Sequence, residues 1–259
     1  MKNNKKTIGI LGAGWLGKEL AFQLKALDFT CRATVRQSDD VAILEQSGIK
    51  SYIVDIKEDK IFGDLKTFLE GLNTLIVAIP PGLRKNPDSD FAYKVRMIAK
   101  FALVYKIPDF IFVSSTSVFQ DTFPITTYSE NNIPNSQSNT GKKIITAEEE
   151  LRNWYPNATI LRPCGLIGDD RHPINHLKGK TDLKNPDMPV NLVNRNHVIN
   201  LIIGLINETI KTKVLHAVSE PHTNRKEYYQ DAARQRDLVP PEFLDSSKQE
   251  GKIITSIYS

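Results

Sequence analysis

The chain has 259 residues, a formal net charge of +4 and 40% hydrophobic residues, which is an ordinary globular composition. Its lysines and arginines are scattered rather than grouped along one face or helix, which argues against a nucleic-acid partner. No stretch approaches the roughly 20 apolar residues that cross a bilayer, and the N-terminus has no signal-like apolar core, so we expect a cytoplasmic protein with no membrane partner.

Short apolar or β-branched runs alternate with helix-like stretches along the chain. Some runs, such as TLIVAI and FIFVS, are apolar throughout, as is typical of strands covered on both faces. Apolar residues at helical spacing predict two helices, with these positions on one side: Leu16, Leu20, Leu24 and Leu27 in the first; Val198, Leu201, Ile202, Leu205 and Ile206 in the second. The predicted strands are Thr7–Leu11, Phe29–Val35, Ser51–Ile56, Thr74–Ile79, Asp109–Ser114, Ala158–Arg162 and Val214–Ser219.

This alternation predicts the fold class. It indicates an α/β protein with a Rossmann-like, doubly wound, mostly parallel sheet of about seven strands and a small C-terminal lobe. Two segments, Phe119–Gly141 and Gly168–Asn191, are predicted to be long loops. Loops of this length in a compact domain usually line a site or are mobile.

A glycine-rich turn follows the first strand, in the segment IGILGAGWLGKEL. Gly12 permits the sharp turn, Gly14 lets backbone approach a pyrophosphate, and Gly17 lets the helix pack close to the strand. The free N–H groups of the first helical turn, around Trp15 and Leu16, then face the phosphates. We predict an NAD(P) site here, and the alternative is a strand-to-helix turn without a ligand.

The end of the second strand bears on the choice of cofactor. Sites that prefer NAD usually place a carboxylate there to bind the ribose 2′-hydroxyl. This chain has Arg36 instead, and arginine pairs with a 2′-phosphate, which favours NADP(H) over NAD(H). The alternative makes Arg36 a surface residue and Asp39 the ribose ligand.

Two further segments follow later strands at the edge where such sheets bind ligands. We expect Asp55 and Ile56 to border the adenine. Ile79, Pro80 and Pro81, in the segment AIPPG, should pass beside the ribose and pyrophosphate.

Four later segments, taken in chain order, match the motifs of a known enzyme family: FIFVSSTSVFQD, LRPCGLIG, LVNRNHVINLIIGLI and HAVSEPHTNRKEYY. Together they resemble the extended short-chain dehydrogenase/reductase family, the NAD-dependent epimerases and dehydratases that act on nucleotide sugars. The resemblance runs over most of the chain. It implies an NAD(P)-binding Rossmann domain over 1–165 and a substrate lobe over 166–259, interleaved with the last strand and helices in one continuous domain.

The resemblance implies roles for residues that match the family's motifs. Ser115 falls where the family keeps the serine that hydrogen-bonds the reacting hydroxyl or carbonyl. Ser114, Pro163 and Cys164 fall where the nicotinamide half is usually bordered. At the glycine turn Leu11 stands at the family's first glycine, a departure seen in atypical members.

The larger departure concerns the catalytic pair. The family uses a helix-borne Tyr-x-x-x-Lys, in which the lysine's charge lowers the tyrosine pKa from about 10. In the matching stretch SNTGKKIITAEEELR, Thr140 stands at the tyrosine and Ile144 at the lysine. Three interpretations remain: Lys142, or its neighbour Lys143, supplies a proton or charge beside Ser115; the loop residue Tyr128 folds over the nicotinamide; or hydride chemistry is lost and cofactor binding kept.

Other polar residues have weaker claims to a site. His172 and His176 have a helical i, i+4 spacing, but Pro173 lies between them and no carboxylate or cysteine completes the set, so we predict no metal site. His197 is expected to be structural. The basic residues of one loop are expected either to meet a phosphate or carboxylate of the substrate or to be solvated: Arg171, His172, Lys178 and Lys180. Arg225 either contacts the substrate or only begins a capped helix.

The remaining expectations concern thiols, assembly and activity. Cys31 and Cys164 lie in apolar runs and should be buried free thiols in a reducing compartment. Family members commonly continue beyond a segment like GKIITSIYS, which implies a truncated or unusually short chain. We predict a monomer or homodimer that is either an oxidoreductase or epimerase acting on a nucleotide sugar or a similar polar carbonyl or carbinol compound, with or without a phosphate, or an NADP(H)-binding regulator without turnover.

Overall fold

A computed structural model describes residues 5–58, 60–83, 85–244 and 250–258. Its strands are β1 Thr7–Leu11, β2 Thr30–Val35, β3 Lys50–Ile56, β4 Ile61–Gly63, β5 Thr74–Val77, β6 Asp109–Val113, β7 Thr126–Tyr128, β8 Thr159–Pro163, β9 Gly165–Ile167, β10 Leu192–Asn194, β11 Val214–Ala217 and β12 Lys252–Ile254. Its helices are α1 Trp15–Ala26, α2 Asp39–Gln46, α3 Leu65–Leu69, α4 Phe91–Val104, α5 Asn139–Trp154, α6 Ile174–Leu177, α7 Arg195–Ile206 and α8 Arg225–Arg234.

The central sheet has eight strands in the order β11-β8-β6-β5-β1-β2-β3-β4. Every neighbouring pair is parallel except β3 with β4. All seven strands expected from the sequence lie in it, which confirms the doubly wound fold. The additional strand, β4, is three residues long and too short to leave a pattern in the sequence.

The two long loops predicted from the sequence contain regular structure, which corrects that expectation. The first includes β7, and α5 already begins at Asn139; the second includes α6. Strand β7 pairs with β12, a partner from the far end of the chain that local sequence does not reveal. The prediction that Leu27 lies on the apolar side of the first helix was also wrong, because Leu27 caps the end of α1 and is 54% exposed.

Two apolar clusters cover the two faces of the sheet. On β1, Ile8 and Ile10 join the cluster under α1 and α7, whereas Leu11 joins the cluster under α3, α4 and α5. This alternation is the pleat of a strand that is buried on both faces. A third cluster forms around α8 and α6. The boundary between an NAD(P)-binding domain ending at residue 165 and a substrate lobe beginning at residue 166 stays a prediction. None of the described helices combines the length and apolar character that a bilayer crossing requires.

Candidate functional site: the carboxyl edge of the sheet

Two glycines of the turn after β1 are required by the fold itself. Gly12 has a φ of +102°, and a Cβ there would lie 2.9 Å from Ile79 Cγ2. A Cβ on Gly17 would lie 2.3 Å from the carbonyl oxygen of Gly12, so α1 can pack this close to β1 only with glycine at that position. Both glycines therefore have a structural reason to be present.

Gly14 has no such reason. A Cβ at this position would meet nothing within 4 Å, and its φ of −79° is open to any residue. The residue is exposed, and no side chain caps the start of α1, whose first turn carries no acidic residue. Unpaired first-turn N–H groups and a positive helix end attract phosphate, and the missing side chain leaves room for one. The turn fits a dinucleotide diphosphate.

Neighbouring elements hold the turn in place. Gly12 N donates to Thr34 Oγ1 at 2.9 Å and Ala13 N donates to the Thr34 carbonyl at 2.8 Å, which ties the turn to β2. Leu16 is buried in the core below. The polypeptide at the turn is therefore positioned before any ligand arrives.

The Trp15 side chain joins the turn to the segment after β9. Its Nε1 donates to Asp170 Oδ2 at 2.8 Å, and its ring lies 4.3 Å from the Arg195 guanidinium carbon and 5.1 Å from that of Arg171. This hydrogen bond lowers the pKa of the Asp170 carboxyl, and the two arginines lower it further. The Trp15 indole is thus occupied by protein contacts, whereas the backbone N–H of Trp15, the first residue of α1, faces the position of a phosphate.

Arg36 lies directly beyond the end of β2 and is exposed. The two acidic residues that follow have different surroundings: Asp39 is exposed, whereas Asp40 Oδ1 lies 2.8 Å from Lys18 Nζ. Within the described ranges no ion pair engages Arg36. Its guanidinium is available to an anion at the edge where the adenosine half is expected.

The other residues expected along the cofactor lie at the ends of β3 and β5. Asp55 and Ile56 are the last residues of β3, and both are partly exposed. Ile79 is partly buried against the turn, while Pro80 is exposed and Pro81 partly so. Because β5 lies between β1 and β6, these prolines connect the glycine turn to the next part of the site.

The nicotinamide half is expected where β6 and β8 end side by side. Ser115 Oγ accepts a hydrogen bond from Ser117 N at 3.1 Å, at the start of a short 3₁₀ turn, Thr116–Val118. Thr116 Oγ1 lies 3.7 Å from Cys164 Sγ, which binds the two strand ends together. Burial raises the pKa of the Cys164 thiol to about 12, so the group stays protonated. Cys31 is likewise a buried free thiol, with its pKa raised by burial to about 11.

A buried ion pair, which the sequence analysis missed, supports Ser114. Ser114 Oγ donates to Glu148 Oε1 at 2.5 Å, and Arg162 donates to the same carboxylate from Nε at 3.0 Å and Nη2 at 2.6 Å. Both charged residues are 4% exposed. An arginine inside the apolar strand TILRP was the available signal, since a buried charge requires a partner.

A cavity of about 350 Å³ opens at this edge. Three charged residues reach it: Arg225 at the start of α8, and Lys252 of β12 with Asp121, whose Nζ and Oδ1 lie 3.2 Å apart. Lys252 Nζ also donates to the Phe119 carbonyl at 2.8 Å. The described residues lining the cavity are Ser115, Thr116, Ser117, Asp121, Cys164, Gly165, Met188, Pro189, Val190, Asn191, Leu192, Arg225, Tyr229 and Lys252.

The residues proposed to replace the catalytic tyrosine and lysine lie elsewhere. Lys142 is exposed on the first turn of α5, and Lys143 Nζ donates to the carbonyls of Pro87 at 2.6 Å and Ser89 at 3.0 Å. Tyr128 is 4% exposed, with its ring stacked on Phe119 at 4.6 Å between centroids. Thus none of these three is among the described residues that line the cavity.

His172 is held by contacts within the fold. His172 Nδ1 accepts from Ile174 N at 3.2 Å, and its Nε2 lies 3.0 Å from the Tyr228 hydroxyl. Burial lowers the pKa of His172 to about 4, which keeps the ring neutral. His176 and His197 are exposed, as are Lys178 and Lys180. Among the described residues, no three His, Cys, Asp or Glu side chains come together as a metal site would require.

Comparisons with known proteins agree with this geometry. A family model described as NAD(P)H-binding matches residues 12–209. The chain is 33% identical over 260 residues to Protein YeeZ of Escherichia coli K12. The aligned region covers 96% of this chain and 91% of that protein.

Solved structures share the fold at low sequence identity. UDP-glucuronic acid 4-epimerase from Bacillus cereus in complex with NAD is 13% identical, with a TM-score of 0.75 and coverage of 96% of this chain and 89% of that one. A dTDP-4-dehydrorhamnose reductase from Bacillus anthracis in complex with NADP is 14% identical, with a TM-score of 0.72 and coverage of 98% of this chain and 90% of that one. The resemblance to the extended short-chain dehydrogenase/reductases is confirmed in the fold, and by its sequence match the chain belongs to the NAD(P)H-binding family.

Proposed function

We propose that this protein is an NAD(P)-dependent oxidoreductase or epimerase that acts on a nucleotide sugar or a similarly polar carbonyl or carbinol compound. The observation that carries the proposal is the cavity lined by Ser115 and Cys164, at the same sheet edge as the glycine turn. The epimerase and the reductase that share the fold are named for nucleotide-sugar chemistry, and their complexes hold NAD or NADP.

The chain's own residues would bind and orient the reactants. A nicotinamide cofactor bound along the sheet edge would exchange a hydride with the substrate carbon. Ser115 would give up its local bond to Ser117 N and hold the reacting oxygen. Arg225 and Lys252 would attract a phosphate or carboxylate of the substrate into the cavity.

Substitution of Ser115 tests the enzymatic function. We expect wild-type protein to consume NADPH with at least one member of a panel of nucleotide sugars, aldehydes and ketones, measured by the absorbance of the reduced cofactor. Ser115→Ala should lower kcat/KM by about 100-fold, the scale of losing one oriented hydrogen bond to the reacting oxygen. Its NADPH affinity should stay within about twofold, because Ser115 contacts the substrate. Ser129→Ala, which removes a hydroxyl outside the cavity, is the control, and equal activity of both variants would contradict the assignment.

Within this function we propose that the protein prefers NADP(H), because an exposed arginine, Arg36, follows the end of β2. Arg36→Ala should weaken NADPH binding about 10- to 100-fold, as expected for a charge-assisted bond worth about 1.5–3 kcal/mol, and NADH binding by less than about twofold. Fluorescence titration measures both affinities. Asp39→Ala serves as the matched variant: if it weakens NADH binding while Arg36→Ala changes neither affinity, Asp39 is the ribose ligand instead.

A second function, an NADP(H)-binding regulator without turnover, is favoured by one observation. Thr140 is exposed and Ile144 is buried at the positions where the resemblance places the catalytic tyrosine and lysine. Saturable NADPH binding without oxidation across the whole panel would select this function.

A further inference from the structure

No residue of α5 is among the described residues that line the cavity, so a proton donor opposite Ser115 has to come from another described residue. Cys164 is a buried thiol whose pKa is raised by burial to about 12 and whose sulfur accepts a hydrogen bond from Thr116 Oγ1. The Lys252 ammonium is already bonded to a carbonyl and a carboxylate. Serine and threonine hydroxyls are weaker acids than a phenol. Among the described lining residues, Tyr229 is the phenol.

Tyr229 is held rigidly while its hydroxyl remains uncommitted. The residue is 9% exposed, and its ring packs edge-on against Tyr228 at 5.2 Å and His172 at 6.5 Å between centroids. One hydrogen bond, between His172 Nε2 and the Tyr228 hydroxyl, holds the other two rings together. No described residue forms a hydrogen bond with the Tyr229 hydroxyl, so its donor and acceptor capacity is open to a ligand in the cavity.

A cation lies one helical turn before this phenol. Arg225 and Tyr229 have i, i+4 spacing on α8 and therefore share a helix face, and both line the cavity. Arg225 Nη1 donates to the Lys184 carbonyl at 2.5 Å, and its guanidinium lies over the Phe243 ring at 5.5 Å. These contacts fix the charge beside the phenol, so α8 carries a cation and a tyrosine with the four-position offset of the missing pair, in the reverse order.

We infer that Tyr229 is the proton donor for carbonyl reduction in this cavity, with Arg225 as the positioning cation beside it, an inference that rests on the proposed function. When bound, a reduced dinucleotide would supply the hydride, two electrons with one hydrogen, that the carbonyl carbon gains, and would itself be left oxidised. The Tyr229 hydroxyl gives its proton to the carbonyl oxygen held by Ser115. The product is a neutral alcohol, and the Tyr229 phenolate regains a proton from water.

The electrostatic surroundings of Tyr229 agree with its role as a proton donor. Burial and the neighbouring Tyr228 raise the pKa of Tyr229, while Arg225 lowers it. The phenol is therefore protonated in the free protein, as a donor must be. Once the proton has left, the Arg225 charge stabilises the phenolate.

Kinetics of Tyr229→Phe test the inference on the carbonyl substrate found in the panel. We expect kcat to fall by about 100-fold or more, the usual effect of losing a general acid, with KM within about threefold. Tyr155→Phe is the matched control, since it removes a hydroxyl from another tyrosine that is 8% exposed, in the core against Phe110. If Ser115→Ala abolishes turnover while Tyr229→Phe and Tyr155→Phe behave alike, the proposed function stands and Tyr229 is not the donor.

A second readout does not depend on turnover. In protein labelled with 3-fluorotyrosine, the Tyr229 ¹⁹F signal is identified by its loss in Tyr229→Phe. Adding NADP⁺ should lower the pKa of this signal by about 0.5 or more, because a positive nicotinamide ring then lies near the phenol. The Tyr155 signal should not move. NADP⁺ binding that leaves the Tyr229 pKa unchanged would overturn the inference, whereas failure of NADP⁺ to bind would remove the proposed function as well.

Discussion

Gly14→Ala should remove most of the affinity for both NADPH and NADH while the protein remains folded. A methyl group at this position meets no protein atom within 4 Å, and the backbone there is acceptable to alanine. It would, however, occupy the space through which a diphosphate reaches the first turn of α1. We expect a loss of affinity of at least about tenfold, equivalent to about 1.4 kcal/mol.

Fluorescence titration of NADPH and thermal unfolding measure the two effects separately. The free energy of unfolding should fall by less than about 1 kcal/mol, because alanine is only a poorer helix N-cap than glycine. Gly17→Ala is the matched variant: its Cβ would lie 2.3 Å from the Gly12 carbonyl oxygen, so it should destabilise the fold instead. Unchanged dinucleotide affinity in Gly14→Ala would mean that no diphosphate approaches this turn.

Glu148→Leu should lower the free energy of unfolding by about 3–5 kcal/mol, the usual effect of leaving one member of a buried ion pair without its partner. Glu148 accepts two hydrogen bonds from Arg162 and one from Ser114. Without the carboxylate, the Arg162 guanidinium stays buried and uncompensated. Its Nη1 already has no hydrogen-bond partner among the described residues.

Denaturant unfolding checks this prediction with two controls. Glu149→Leu changes an exposed carboxylate on the same helix and should alter stability by no more than about 0.5 kcal/mol. The double variant Glu148→Leu, Arg162→Met should recover part of the loss, because an apolar pair of similar volume can replace a buried ion pair. If Glu148→Leu unfolds with a stability loss as small as that of Glu149→Leu, the pair does not stabilise the fold.

Features that depend on nearby residues could be predicted from the sequence. The strand, turn and helix around Gly12–Gly17 are set by local pattern, and the structure places them as expected. The seven apolar runs likewise form strands of one sheet, and their predicted ends differ from the observed ones by no more than two residues. At β5 the apolar run continues through Ala78 and Ile79 after the strand ends, because those residues pack over Gly12.

The lining residues that α8 and β12 contribute to the cavity could not be predicted in this way. Lys252 reaches it because β12 pairs with β7, and Tyr229 because α8 packs on α6, and neither contact leaves a local pattern. The Tyr229 spacing from Arg225 was visible, but a tyrosine on a short C-terminal helix has a clear role only when the cavity beside it is known. The Glu148–Arg162 pair depends in the same way on a helix and a strand that meet only in the folded protein.

A crystal structure of the chain grown with saturating NADP⁺ tests the dinucleotide site most directly. We expect the diphosphate within hydrogen-bond distance of the first-turn N–H groups of α1, the 2′-phosphate near Arg36 and the nicotinamide beside Ser115. A dinucleotide bound elsewhere, or none at all under those conditions, would contradict the account.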